Sequence, residues 1–358
     1  IFKEYYVDAY TKLNTLTVEE KVGQLIMAHH NQKTAIEGVT KYNIGGYTYF
    51  EPDFLGKTEG EVKKMIADEQ AASKIPLITA VDEEGGRVVR ISSNTSLVSN
   101  EMSKYPNLFY TNINNKNAWK LSKDLYRESG NNFTLIEQET RVKSAVLKRL
   151  GLNVNFAPVV DMAIEGAYIS DRVIGLDARG TAEYGKTVIK TSKETGVSYC
   201  LKHFPGYGNN SDTHDTGSVD NKTLEELMEN DIVPFKESID VGAESVMLAH
   251  NIVAAIDANN PASLSKGVHD LLVNELNFTG IMITDALDMG ATKDIPDKFV
   301  KAVKAGNHLL LVQDYARAYT ELNEAVKNGS ISEDELNKQV FKVLAWKYYK
   351  GMIYENQK

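Results

Sequence analysis

Eight short runs of mostly apolar residues recur along the chain, and each of them ends in polar residues. Within a run the apolar residues are nearly continuous rather than alternating with polar ones, which is typical of parallel strands buried on both faces of a sheet. The pattern therefore predicts eight parallel strands. The runs occupy residues 23–30, 43–50, 75–84, 153–162, 197–204, 245–251, 280–288 and 308–314.

Most of these runs are separated by stretches in which apolar residues recur three and four positions apart, the spacing of an amphipathic helix. Residues 58–74 and 332–349 are the clearest examples, and Thr223 with Glu226 forms a capping-box pattern that begins another helix. Strands and helices that alternate eight times predict an α/β protein with a closed (β/α)8 TIM-type barrel. An open doubly wound sheet is the alternative.

The composition narrows the classes of function. A chain of 358 residues, 42% of them hydrophobic, can bury a large core. A net charge of -9 argues against nucleic acid or an anionic membrane as the main partner, and no apolar run reaches the ~18 to 20 residues of a spanning helix. The lone Cys200 rules out an internal disulfide and a multi-cysteine metal site. The chain starts at Ile1 rather than Met, which favours a secreted or cell-surface protein, and a cytoplasmic location stays open.

Chemistry is expected at the polar ends of the strands, because the active sites of (β/α)8 barrels lie where the strands end. Segment 202–216 is the richest of these ends: Lys202 and His203 end a strand, and Asp212 precedes His214 by two positions. An aspartate partner fixes the tautomer of an imidazole and favours its protonated form, which suits a general acid. Three other interpretations stay open: a solvated loop, a metal site built from the histidines and aspartates of the segment, and a Schiff-base lysine.

Two more strand ends carry candidate groups. Asp285 follows four apolar or β-branched residues, so its carboxylate would be desolvated on one side and open to the barrel mouth on the other, as a carboxylate nucleophile requires. A helix cap is the alternative for this residue. Asp82 ends another strand, and Arg87 and Arg90 follow it after a Gly-Gly turn; an acid beside an arginine suits the binding of sugar hydroxyls, with a structural ion pair as the alternative. Arg172, taken alone, fits a structural role as well as a functional one.

With these segments collected, the chain resembles glycoside hydrolase family 3, and within it the β-N-acetylglucosaminidase (NagZ-like) branch. The resemblance covers about residues 16–312, in the order of the family, and KHFPG followed by an Asp-[Ser/Thr]-His step is its most diagnostic part. The segments that carry it are LTVEEKVGQLIM, VDEEGGRVVR, LGLNVNFAPVVDM, DRVIG, KHFPGYG, DTH, VMLAHNIV, PASLS and GIMITDALDM.

This resemblance implies one catalytic barrel over residues 1–358, with no second α/β domain, that removes terminal N-acetylglucosamine with retention of configuration. Peptidoglycan fragments and chitooligosaccharides are the implied substrates. Asp285 is the implied nucleophile, His214 the general acid/base and Asp212 its partner. No cofactor or metal is expected, and we expect a monomer that binds a saccharide, without nucleic acid or a membrane span. The implied substrate-binding residues at the first sugar subsite are Asp82, Arg90, Arg172, Lys202 and His203.

Three features depart from the family pattern. Tyr207 stands where the family usually has His or Arg, and the loop over residues 206–214 is one residue shorter than the commonest version. Val173 and Ile174 replace a more usual Ser-Phe pair. Because the first two departures lie on the loop that would carry the acid/base, substrate preference beyond the first sugar is left open. A family 3 β-glucosidase-type enzyme and a catalytically silent sugar-binding barrel are the alternative functions.

Overall fold

A computed structural model describes residues 1–110, 119–163, 166–207 and 217–354. Eight parallel strands in this part of the chain form a single sheet, and each predicted apolar run contains one of them. The strands are shorter than the runs, because the ends of each run bend away into the loops. They are β1 (Ile26–His29), β2 (Gly46–Tyr49), β3 (Ile78–Val81), β4 (Val154–Asn155), β5 (Ser198–Phe204), β6 (Ser245–Leu248), β7 (Ile281–Thr284) and β8 (Leu310–Val312).

The sheet closes on itself. Met27 of β1 pairs with Gly46 of β2 on one side and with Leu311 of β8 on the other. The remaining gap, between β7 and β8, is bridged by a parallel pairing of Ile283 with Leu309. The predicted (β/α)8 barrel is therefore confirmed, and the open doubly wound sheet is excluded.

Helices cover the outside of the barrel. The two helices predicted over 58–74 and 332–349 are present, and both begin at a capping box, as does the helix after Thr223. The α-helices of the described residues are α1 (Tyr6–Leu13), α2 (Val18–Gln24), α3 (Ala35–Lys41), α4 (Glu51–Phe54), α5 (Glu59–Ala72), α6 (Ser99–Lys104), α7 (Ser122–Glu128), α8 (Thr134–Leu150), α9 (Ala178–Thr195), α10 (Leu224–Glu226), α11 (Val233–Asp240), α12 (Lys266–Asp270), α13 (Lys298–Ala305), α14 (Tyr315–Lys327) and α15 (Glu333–Tyr349).

The core lies on both sides of the sheet, as the continuous apolar runs predict. Strand residues such as Ile26, Val81 and Leu248 are fully buried, and residues from the helix layer, such as Phe235 and Trp346, are buried as well. Across the described ranges, no helix is long and apolar enough to cross a bilayer. Both faces of the sheet are thus covered by protein, so an active site is expected at the ends of the strands.

Candidate active site

A polar cavity of about 540 Å³ opens where the barrel strands end. Asp82 enters it directly after β3, Lys202 and His203 enter it from β5, and Asp285 follows β7. Because parallel strands of a barrel end on one side, residues distant in sequence meet there. The lining residues are His29, Phe50, Asp82, Glu84, Arg87, Val88, Arg90, Tyr168, Arg172, Lys202, His203, Tyr207, Met247, Asp285, Ala286, Asp288, Met289, Leu311 and Gln313.

A chain of buried ion pairs forms one wall of this cavity. Lys202 Nζ lies 2.8 Å from Asp82 Oδ1 and 2.6 Å from Glu84 Oε1. The same Glu84 carboxylate accepts two hydrogen bonds from Arg172, at 2.7 Å from Nη2 and 3.0 Å from Nε. Two cations thus share one carboxylate, which fixes their positions relative to each other.

The charged groups of this wall keep one another ionised. Burial by itself would raise the pKa of Glu84, but Arg172 and Lys202 outweigh it and hold that pKa well below its usual range. Burial would lower the pKa values of Lys202 and Arg172, and their carboxylate partners raise both instead. All three groups are therefore ionised at neutral pH. A protonated Lys202 does not supply the neutral amine that a Schiff base requires, so the geometry disfavours that interpretation.

The loop after β3 is held by a buried carboxylate, Glu83. It accepts hydrogen bonds from the backbone N–H groups of Arg90 (2.7 Å), Ile91 (2.8 Å) and Ser92 (3.0 Å), and from Ser92 Oγ (2.6 Å). This places the Arg90 guanidinium beside the cavity, 3.8 Å from Asp82 Oδ2. Arg90 Nε is buried and has no hydrogen-bond partner in the described ranges, so it is available to a ligand.

A second aspartate fixes the end of β5. Asp161 Oδ2 lies 2.8 Å from His203 Nδ1, and the carboxylate also accepts from the backbone N–H groups of His203 (3.1 Å) and Tyr207 (2.7 Å). The carboxylate is an acceptor, so His203 Nδ1 carries the hydrogen in this contact. One buried carboxylate therefore sets both the ring of His203 and the backbone that leads into the loop after β5.

Asp285 lies just past the end of β7. Its Oδ1 accepts a hydrogen bond from the Ala286 N–H at 2.7 Å. Burial raises the pKa of this carboxyl, but electrostatic interactions with the neighbouring His203, His250 and Lys202 side chains, together with the Ala286 hydrogen bond, outweigh burial and leave the pKa below its usual value. Asp285 is therefore an ionised carboxylate that faces the cavity.

His250 supports the loop that carries Asp285. Its Nε2–H donates to the Ala286 carbonyl at 2.8 Å, and its Nδ1 accepts from Ser263 Oγ at 2.7 Å. The imidazole is fully buried. Its direct contacts are thus with the backbone after the nucleophile candidate and with a neighbouring loop.

The structure brings together six of the eight residues predicted for the site. Asp285 and the five substrate-binding candidates all line the cavity. Asp212 and His214 lie outside the described residues. No group of three or more metal-ligating side chains is found within the described ranges.

The side chains of the two neighbouring histidines at the end of β1 point in different directions. His29 lines the cavity, whereas His30 points out of it and forms contacts with Asp53 and Glu69. His30 directly follows β1, yet its side chain does not reach the barrel mouth, because successive residues of a strand point to opposite faces.

The comparison with protein families decides the assignment. Residues 17–346 match the family model described as the glycosyl hydrolase family 3 N terminal domain. The chain belongs to glycoside hydrolase family 3. The resemblance to this family that the sequence motifs indicated is thereby confirmed.

Two relatives of this family 3 chain are named beta-hexosaminidase. It is 30% identical over 274 residues to a protein of Nitrosomonas eutropha named beta-hexosaminidase, covering 75% of this chain and 73% of that protein. It is 26% identical over 350 residues to the Mycobacterium tuberculosis protein named beta-hexosaminidase LpqI, covering 93% of this chain and 83% of the relative.

Solved structures agree with this family 3 fold. A family 3 beta-N-acetylglucosaminidase from Paenibacillus sp. superposes with a TM-score of 0.82 at 29% identity, over 94% of this chain and 63% of that one. The chain thus spans less than two thirds of the Paenibacillus structure. The structure of M. tuberculosis LpqI gives a TM-score of 0.79 at 25% identity, over 94% of this chain and 95% of that one.

Proposed function

We propose that this chain is a retaining exo-β-N-acetylglucosaminidase that removes terminal N-acetylglucosamine from peptidoglycan fragments or chitooligosaccharides. Membership of glycoside hydrolase family 3 supports the reaction class, and the names of the relatives support the sugar. The observation that carries the proposal is the ionised carboxylate of Asp285 in the same cavity as the Asp82, Lys202 and Arg172 wall. At about 540 Å³ the cavity has the size of an ordinary small-molecule site.

The proposed first sugar subsite consists of Asp82, Arg90, Arg172, Lys202 and His203. Charged groups fixed by other protein groups form strong, directional hydrogen bonds to sugar hydroxyls and to an acetamido oxygen. The unpartnered Nε of Arg90 offers a donor to such an oxygen, and the buried, unpartnered Nε2 of His29 offers a further polar contact. A ligand rich in hydroxyl groups would satisfy both.

The proposed reaction has two steps. An oxygen of Asp285 attacks the anomeric carbon, the bond to the leaving oxygen breaks, and that oxygen takes a proton from His214, which Asp212 orients. A glycosyl ester of Asp285 results. Water, deprotonated by the now neutral His214, then attacks the same carbon and releases both the sugar and the carboxylate. Two inversions give net retention, as in other retaining glycosidases. A histidine suits the proton transfer because its unperturbed pKa of ~6.5 lies near neutral pH.

The low pKa of Asp285 suits the first step. A nucleophile must be ionised before it attacks, and the interactions of Asp285 with His203, His250, Lys202 and the Ala286 N–H favour that form at neutral pH. The hydrogen bond from Ala286 occupies Oδ1. We therefore assign the attack to Oδ2.

The test compares chromogenic β-N-acetylglucosaminide and β-glucoside substrates and follows the anomer of the first product by proton NMR. We expect faster turnover of the N-acetyl substrate and a β-configured product. Asp285→Ala should lose activity by a factor on the order of 10⁴ or more, and azide should restore turnover as the α-glycosyl azide. Asp294→Ala, an exposed carboxylate on the same loop, is the matched control and should keep wild-type rates.

Each part of the proposal has its own contrary outcome. An α-configured product from the wild type would overturn retention. Faster turnover of the plain glucoside would overturn the sugar preference. Thermal stabilisation by N-acetylglucosamine without turnover of either substrate would show a silent sugar-binding barrel instead.

A further inference from the structure

A second large cavity lies at the opposite end of the barrel from Asp285. It occupies about 610 Å³, and its walls come from the start of β7, the residues before β8, and parts of α12, α13 and α15. Gly280 and Met282 border it, so it lies where the strands begin rather than where they end. In barrel enzymes this face contributes to stability rather than to catalysis. Catalysis at the other end of the barrel therefore does not account for this cavity.

The cavity carries an excess of positive charge. Four lysines and two carboxylates line it, although the chain as a whole has a net charge of -9. One of the carboxylates, Asp270, pairs with Lys266 of its own helix at 2.5 Å. The other, Glu335, accepts hydrogen bonds from the backbone and hydroxyl of Ser332 at the start of α15. Among the described residues, Lys304, Lys338 and Lys342 line the cavity without an ion-pair partner.

Lys338 and Lys342 are the centre of this excess. They lie one turn apart on α15, and neither forms an ion pair within the part of the chain that the structure describes. In the described ranges, Lys342 Nζ donates to neutral oxygens, the Thr279 carbonyl at 2.5 Å and Tyr6 Oη at 3.3 Å, and it lies over the rings of Tyr6 and Phe2. Burial, followed by the charge of Lys338, lowers the pKa of Lys342. An anion bound between the two ammonium groups would remove this repulsion.

Two buried imidazoles add hydrogen-bonding groups to the wall. His308 Nδ1 accepts from the Met282 N–H at 2.9 Å, so its Nε2 carries the hydrogen. His269 Nδ1 donates to the Ser265 carbonyl at 2.7 Å, so its Nε2 is a bare acceptor. That Nε2 atom is buried beside Asn307, and no donor of the described residues makes a hydrogen bond to it. A buried acceptor without a partner costs free energy, which a ligand that donates a hydrogen bond would recover.

The rest of the lining is apolar. Phe278 and Met282 are buried at the strand end, while Val303 and Phe341 contribute from α13 and α15. Side chains of this kind bind the hydrocarbon part of a ligand, whereas a few polar groups fix its orientation. The cavity thus combines an apolar surface, an anion-binding pair and a hydrogen-bond acceptor.

We propose that this cavity binds a small organic anion with an apolar body, whose acidic group lies between Lys338 and Lys342. A hydroxyl or amide hydrogen of the ligand would complete the contact with His269 Nε2. The site is separate from the proposed sugar site and does not depend on it.

The probe for the test is 8-anilinonaphthalene-1-sulfonate, an aromatic anion, and its matched neutral analogue is N-phenyl-1-naphthylamine, which lacks the sulfonate. Both are titrated by fluorescence with saturating N-acetylglucosamine present, which occupies the sugar site. We expect the anion to bind more tightly than the neutral analogue and its affinity to fall with added salt. Lys338→Gln with Lys342→Gln should weaken the anion roughly tenfold or more, the size of one lost charge-assisted hydrogen bond, and leave the neutral analogue unchanged.

Lys327→Gln, an exposed lysine at the end of α14 outside the cavity, is the control and should bind the anion as the wild type does. Should the double variant fold poorly, Lys338→Gln alone, at an exposed position, still tests the charge. Equal affinity of the anionic and neutral probes for the wild type would overturn the proposal. So would lysine variants that bind the anion as tightly as Lys327→Gln does.

Discussion

Lys202 Nζ lies 2.6 Å from Glu84 Oε1, and this contact connects the two cations of the sugar-binding wall. Through Glu84, Lys202 is coupled to Arg172, whose guanidinium binds the same carboxylate. The positions of both cations are therefore set by a residue that need not contact the sugar. A site whose charged groups are already in place loses little conformational freedom when it binds its ligand.

Glu84→Gln should lower both the stability of the protein and its activity. The amide leaves the buried guanidinium of Arg172 without its carboxylate and leaves Lys202 with Asp82 alone, which costs about 3 kcal/mol or more. We expect a lower urea midpoint and a fall in kcat/KM on a chromogenic N-acetylglucosaminide. Glu128→Gln is the control, because Glu128 pairs with Lys120 near the surface and its loss should cost less than about 1 kcal/mol. Equal midpoints for the two variants would contradict the role given to Glu84.

Glu83 is predicted to act through Arg90. Glu83→Ala removes all four hydrogen bonds that hold residues 90–92, whereas Glu83→Gln keeps one acceptor oxygen. We expect KM to rise about tenfold in the alanine variant, with a smaller rise in the glutamine variant and a smaller change in kcat. Steady-state kinetics, measured well below the melting temperature of each variant, provide the test. An unchanged KM in Glu83→Ala would show that the loop keeps its conformation without the carboxylate.

The barrel was predictable from the sequence because parallel strands covered on both faces leave a continuous apolar run. Each run also located the end of a strand well enough to identify Asp82, Lys202 and Asp285 as neighbours in the folded chain. The sequence did not predict which acidic residues would hold these groups. Asp161 lies near the end of the apolar run 153–162, well past β4, and its three acceptor contacts depend on the path of the loop after β5.

The alternation of side chains along a strand also separates the residues that reach the cavity from those that do not. Asp82 and Glu84 are two residues apart and reach the same side, whereas Glu83 between them turns into the loop. The same parity separates His29, in the cavity, from His30, behind it. Which side faces the cavity depends on the register of the closed sheet, and apolar runs without alternation do not encode that register.

Asp161 should be essential to the orientation of His203. In Asp161→Asn the amide NH₂ faces at least one of three N–H donors, so one contact becomes repulsive. Losing a charge-assisted hydrogen bond of about 1.5–3 kcal/mol predicts a fall in kcat/KM of about 10- to 100-fold. Asp177→Asn is the control, because asparagine caps a helix as well as aspartate does and Asp177 caps α9. Wild-type kinetics for Asp161→Asn would show that Asp161 does not contribute to the function of the site.

His30 predicts a pH dependence of stability that is independent of catalysis. Its Nδ1 lies 2.6 Å from Asp53 Oδ1 and its Nε2 lies 2.8 Å from Glu69 Oε1, so both nitrogens face carboxylates and both carry hydrogen. Burial would lower the pKa of His30, but these two contacts raise it from its ordinary value of about 6.5 to about 9. The folded state therefore binds a proton that the unfolded chain releases near neutral pH.

Because the folded pKa of His30 is the higher one, its stabilisation is fully present below about pH 6.5 and is lost as the pH rises through about 9. The shift corresponds to roughly 3 kcal/mol. Burial lowers the pKa of Lys347 to about 7, which changes stability over the same range with the opposite sign. The measurement is therefore the difference in free energy of unfolding between wild type and His30→Gln, which should shrink by roughly that amount between pH 7 and pH 9.5. A difference that stays constant would mean that His30 is neutral in the folded protein.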